Sequence, residues 1–285
     1  TTTINGSDFS TFTNIVGGET LAVTGSGTIA SQNVGSGKTV TSVNLALANG
    51  TGTASNYSIN SLTADITGRP VSISGSRLYD STVTADSSIL TITSGVSGEN
   101  LTLTGSGVLG AASAGSQTIT NNNTLAIADG TGLASNYTLT GATINVTVVP
   151  RTLNVTLSRE YDGTTGVSGG SLTPTFDSLQ GGETLALTGT GSISNANVGS
   201  SKSVTLGTIA LASGSGNPSN YTLNSATMDV TQKVINLDGI RAYDASTDVL
   251  SSDINSFGNI ISGETLTISG TCLLYTSPSP RDPTK

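Results

Sequence analysis

The chain has 285 residues, room for two or three ordinary domains. Charged residues are 10% and aromatics 4%, with neither Trp nor His, so the usual base of serine and cysteine hydrolases is absent. The net charge of −8, with only ten scattered basic residues, excludes a phosphate-gripping nucleic-acid surface.

Thr, Ser, Val, Gly and Asn fill the gap, a composition that favours strands and turns over helices. One cysteine, Cys272, rules out an internal disulfide framework. No apolar run approaches the ~20 residues of a membrane span. No basic-then-apolar leader opens the chain, and the first residues already lie inside a repeat, so the natural N-terminus is expected further upstream.

Three landmarks recur. Glu19, Glu99, Glu183 and Glu264 each follow a Gly and are spaced by 80, 84 and 81 residues. The pairs Asn56-Tyr57, Asn136-Tyr137 and Asn220-Tyr221, each after a Ser, repeat at 80 and 84. Tyr79-Asp80, Tyr161-Asp162 and Tyr243-Asp244 repeat at 82 and 82. A shared period near 82 is too long for a solenoid rung and suits a string of small domains.

In chain order, the expected domains are a truncated repeat at 1–67, complete repeats at 68–149 and 150–232, a truncated repeat at 233–271, and a tail at 272–285. The third repeat shows the elements most clearly. Leu153, Val155 and Leu157 alternate with polar residues and predict the opening strand. A turn follows at Tyr161-Asp162-Gly163, then strands at 171–176, 184–188 and 192–194. After the Asn197-Val198-Gly199 turn come strands around Val204 and Leu206, Ile209 and Leu211, Tyr221 and Leu223, and finally Met228 and Val230. Many short strands with turns every 8–12 residues predict an all-β fold of tandem small Ig-like β-sandwiches in an elongated array. Pro70 and Pro150 sit at junctions with almost no linker, which should keep the array stiff.

The tail 272–285 departs from the repeat at Cys272 and carries Pro278, Pro280 and Pro283. It resembles translated adapter sequence at the end of a gene fragment and is expected to be non-native and disordered.

Read together, Tyr161-Asp162-Gly163-Thr164-Thr165, Gly182-Glu183-Thr184-Leu185, Asn197-Val198-Gly199 with Lys202, Ser219-Asn220-Tyr221-Thr222-Leu223 and Asp229-Val230-Thr231 resemble the YDG-type repeats of large bacterial surface proteins, including filamentous-haemagglutinin-like adhesins. The resemblance covers residues 1 to about 271. Copies drift: Ser81 and Ala245 replace Gly163, and Gln117 replaces Lys202. The resemblance implies export, an extracellular or cell-surface location and a stalk-like role, and supplies no catalytic residue. The partners it implies are neighbouring repeats of the same chain, with host or matrix glycans or proteins engaged through other domains.

Candidate chemistry is sparse. Val34-Gly35-Ser36-Gly37-Lys38-Thr39 has the ending of a phosphate loop, but Gln32 stands where its first Gly belongs and no helix pattern follows. Gly105-Ser106-Gly107-Val108-Leu109-Gly110 has the letters of a dinucleotide fingerprint and likewise no following helix. No enzyme and no cofactor are expected. Asp80, Asp162 and Asp244, with Asp65, Asp229 and Asp238 as other acids, are the candidates for calcium, against the plainer reading of a turn-capping Asp. The repeat tyrosines are either sugar-stacking platforms of a multivalent glycan- or matrix-binding module, or core residues whose hydroxyl bonds the backbone. One per repeat at a fixed position favours the core.

Overall fold

The computed structural model describes residues 2–42 and 44–273. Strands dominate, and the helical segments among these residues are three-residue 3-10 turns. The all-β architecture follows from β-branched residues alternating with Ser and Thr, punctuated by Gly and Asn. The chain divides into two compact units, Thr1–Pro150 and Arg151–Lys285.

In the repeat at 150–232, the opening strand Arg151–Glu160 buries every second residue, leaving Leu153, Val155 and Leu157 at 2% exposure or less. The closing strand Tyr221–Thr231 lies beside it and runs parallel, pairing Leu153 with Leu223 and Leu157 with Met228. Parallel neighbours cannot be joined by a hairpin, and the rest of the repeat acts as the crossover. The sheet order is Gly166–Ser168, Thr190–Ile193, Gly199–Thr205, Tyr221–Thr231, Arg151–Glu160, Thr175–Phe176. A separate ribbon, Leu185–Thr188 paired with Ala210–Ser213, lays Leu187 and Leu211 onto a core of Val155, Leu157, Val204, Met228 and Val230. The two β layers are therefore unequal, six strands against two.

Two local expectations change. The closing segment, expected as two short strands, is one continuous strand, because a register shift opposite Leu153 and Asn154 absorbs the break in alternation. The strand expected over 171–176 shrinks to Thr175–Phe176. It keeps one edge of the sheet, and the opposite edge is a strand the alternation did not predict, Gly166–Ser168, whose one apolar residue, Val167, is 1% exposed.

The repeat at 68–149 has the same parallel centre, Arg69–Leu78 beside Tyr137–Val149. There the strand equivalent to Gly199–Thr205 is split into Gly115–Gln117 and Ile119–Asn121, so its sheet falls into a four-stranded and a three-stranded part. Residues 1–67 form a sheet in the order Thr3–Asn5, Ser26–Ile29, Gly35–Ser42, Thr63–Ile66, with Ile4, Ile29, Val40 and Leu45 as its core.

Residues 233–273 form two strand pairs, Asn236–Gly239 with Ile254–Gly258 and Asp248–Leu250 with Thr271–Leu273, and none of the residues whose side chains are described there is buried. The expected tail at 272–285 overlaps this second pair at Cys272 and Leu273. Cys272 pairs with Val249 in a strand, since Thr-Cys-Leu keeps strand-forming character after the repeat pattern has lapsed. The rest of that expectation, residues 274–285, lies outside the described residues.

Candidate functional site

The recurring Glu and Tyr meet. In the third repeat the Tyr221 hydroxyl donates to Glu183 Oε2 at 2.5 Å and accepts the Gln180 N–H at 3.0 Å. Tyr137 donates to Glu99 Oε2 at 2.5 Å, and Tyr57 donates to Glu19 while accepting the Val16 N–H. Each pair spans 38 residues of sequence.

Local chemistry explains the motif. The Glu N–H closes a turn onto the carbonyl three residues back, as in Gln180 to Glu183 at 2.9 Å, and the intervening Gly18, Gly98, Gly182 and Gly263 have φ between 71° and 88°. A turn with positive φ at its third position selects Gly there. Facing the carboxylate, Gly52, Gly132 and Gly216 approach so closely that a Cβ would lie 2.6, 2.6 and 2.9 Å from Glu Oε2.

The tyrosine pKa values move upward together. Burial and then the bond to the carboxylate raise Tyr221 and Tyr137, while for Tyr57 the bond to Glu19 comes first. Tyr137 and Tyr221 are buried and Tyr57 half-buried.

The Tyr-Asp segment is a second structural unit, and it includes a residue absent from the sequence reading. Asp80, Asp162 and Asp244 accept the N–H two residues on, at 2.9 Å from Thr82, Thr164 and Ser246, which is an Asx turn. Three residues before each Asp stands an arginine. Arg159 reaches Asp162 at 3.1 Å and donates to the Thr164 and Gly166 carbonyls. Arg77 bonds Asp80 and the Thr82 carbonyl, and Arg241 reaches Asp244 at 3.2 Å and the Ser246 and Asp248 carbonyls. The signal was present as Arg-x-Tyr-Asp at the same period of 82.

At the position after Asp, Gly163 has φ 74°, and Ser81 and Ala245 adopt φ 64° and 60° in the same place. Burial opposes the charge on Asp80 and Asp162, but the turn N–H, the threonine hydroxyl and the arginine outweigh it and lower both pKa values.

The tyrosines of this segment diverge. Tyr79 is 3% exposed, Tyr161 is half-buried with its hydroxyl bonded to Glu264, and Tyr243 is 94% exposed. Burial pushes Tyr161 up as well, after the larger effect of the Glu264 bond.

The acids considered for calcium are thus dispersed into separate turns. Asp65 and Asp229 accept the Gly37 and Ser201 N–H groups at 2.7 and 2.6 Å, where the backbone turns to φ 61° and 51°. Asp238 lies in the exposed strand Asn236–Gly239. Among the described residues, no group of three or more Asp, Glu, Cys or His side chains gathers.

Lys38, in the phosphate-loop lookalike, sits within a strand and donates to the Ser31 carbonyl, as Lys202 does to Asn195 and Gln117 to Ser113. A turn staple is a role that Lys and Gln share. The dinucleotide lookalike holds the strand Ser106–Leu109. A shallow cleft beside Arg159 and Asp162 is otherwise lined by Thr, Ser, Gly, Val167 and Leu172, with no further titratable group among its lining residues.

Asn136 bonds across the chain: its Oδ1 accepts the Val34 N–H at 2.9 Å and its Nδ2 donates to Asn33 Oδ1 at 3.1 Å. Asn220 is 4% exposed, whereas Asn56 is exposed.

A family model described as YDG domain matches the chain three times, over residues 1–64, 66–145 and 147–228. No curated protein and no solved structure matches.

Proposed function

Because the chain belongs to the YDG domain family, with three copies along it, we propose that it is a structural spacer, a run of stalk repeats from an exported bacterial surface adhesin of the filamentous-haemagglutinin type. The observation that carries this reading is how the recurring side chains are used. Glu and Tyr bond each other, and Arg and Asp bond each other and the backbone of one turn.

A catalyst would keep its repeated carboxylates free to exchange protons with a substrate; these hold tyrosines and turns. A sugar-binding array would turn its aromatics outward, and Tyr79, Tyr137 and Tyr221 are buried. A cation joint would leave aspartate oxygens to the metal, and each Tyr-Asp carboxylate faces a guanidinium.

The mechanism is mechanical. Each complete repeat places its opening and closing strands side by side and parallel, so a pull on the two ends of the repeat loads that ladder in shear, across all its hydrogen bonds at once. Single-molecule pulling of the chain is expected to give successive rips, each releasing about 80 residues, or at most ~28 nm of extended chain. Smooth extension without force peaks would refute a load-bearing spacer.

A further inference from the structure

Two contacts between consecutive repeats use the same corner. In the first unit, Asn136, at the end of the turn Ala134–Asn136, is bonded to Asn33 and to the Val34 backbone, 102 to 103 residues earlier. Asn33 and Val34 belong to the preceding repeat, in the turn that feeds its strand Gly35–Ser42. Only Thr67 and Gly68 separate that repeat's last strand, Thr63–Ile66, from the next repeat's first, Arg69–Leu78.

In the second unit, the Tyr161 hydroxyl donates to Glu264, 103 residues later. Val198 shares a cleft there with Tyr161, Ile260, Ile261 and Leu266, and a Cβ on Gly163 would lie 3.0 Å from Ile261. By the period, Val198 occupies the position of Val34, and Glu264 that of Glu99, the partner of Tyr137.

We propose that the corner built from the Gly-Glu turn and the Asn-Tyr segment, seen in 68–149 and in part in 233–271, is a docking socket for the repeat that precedes it. The plug has two parts. One is the Asn-Val turn, read by the Asn side chain through a paired donor and acceptor. The other is the tyrosine of the Tyr-Asp segment, whose hydroxyl is held by the socket's glutamate.

The partner is therefore another repeat of this same chain, held by directional hydrogen bonds at both contacts and by apolar packing around Val198 at the second. Both bonds at the first contact come from the one Asn136 side chain, so neither repeat can swing there without breaking two bonds. Tyr243 has the plug chemistry and stands 94% exposed, with no glutamate bonded to it among the described residues.

This deepens the spacer reading by naming what couples one repeat to the next. The test is hydrogen–deuterium exchange on the full chain, with each variant read in the repeat it does not belong to. Asn136→Ala is expected to speed exchange of residues 31–42 about five- to thirtyfold, the loss of one or two hydrogen bonds. Asn33→Ala is expected to speed exchange at 134–139. Tyr161→Phe, which keeps the ring and removes the hydroxyl, is expected to speed exchange at 254–258 while 221–231 stays at the wild-type rate.

Effects confined to the mutated repeat in Asn136→Ala and Asn33→Ala, or no change at 254–258 in Tyr161→Phe, overturn the socket. That failure is separable from failure of the spacer reading, which the pulling experiment on the unmodified chain decides alone.

Discussion

Tyr221→Phe isolates the Glu–Tyr pair in the repeat that is most completely built. The ring stays, so packing is retained, and the hydroxyl is lost from a site 5% exposed. Two bonds go with it: a charge-assisted one of 2.5 Å to Glu183 and one of 3.0 Å from the Gln180 N–H. A hydrogen bond to a charged group contributes about 1.5–3 kcal/mol and a neutral one about 1, so the expected loss is about 2.5–4 kcal/mol. Over a transition carried by one repeat of ~80 residues this lowers Tm by roughly 15–25 °C. Thermal unfolding followed by circular dichroism or calorimetry reads it directly. Combining Tyr221→Phe with Glu183→Gln in a double-mutant cycle should show a coupling of about 1 kcal/mol or more. A single-mutant effect below about 0.5 kcal/mol, or an additive cycle, would refute the claim that these recurring residues exist to bond each other.

Other consequences follow from the same geometry. Ser81→Gly and Ala245→Gly relieve left-handed backbone at φ 64° and 60° and should each stabilise by about 1 kcal/mol, while Gly163→Ala should do the reverse; chemical denaturation reads all three. Arg159→Lys keeps the charge but loses the fork that binds Asp162 and two carbonyls, and should cost about 2 kcal/mol by the same assay. The lowered pKa values of Asp80 and Asp162 mean that their stabilisation is complete above their ordinary value of 3.8 and is lost as pH falls through the lowered values. The raised values of Tyr137 and Tyr221 act at the other end: their contribution is complete below the ordinary 10.0 and is lost as pH climbs through the raised values, so melting temperature against pH should fall at both extremes. A chelator should leave Tm unchanged, and a drop would restore calcium to the account.

The repeat period, the all-β fold and the buried tyrosines Tyr137 and Tyr221 were legible because each rests on spacing or alternation, which a single sequence displays. The partner of those tyrosines was not. Glu183 and Tyr221 are 38 residues apart, and nothing local to either says that the intervening strands return one to the other. The arginines were overlooked for a different reason. A lone Arg in a weakly charged chain looks like surface, and Arg159 is drawn in only because its fork meets three acceptors on one turn. The parallel pairing of opening and closing strands was equally hidden, since alternation shows which face of a strand is buried and not which strand lies beside it. Tyr243 breaks the tyrosine pattern because burial depends on what covers a side chain, and no side chain described in 233–273 is buried.

Small-angle scattering of the chain in dilute solution bears most directly on the spacer. A compact body of 285 residues would have a radius of gyration near 19 Å. Repeats strung end to end predict a value well above that, with a pair-distance distribution that peaks early and trails to a long maximum dimension. A symmetrical distribution with a radius close to the compact value would contradict the account.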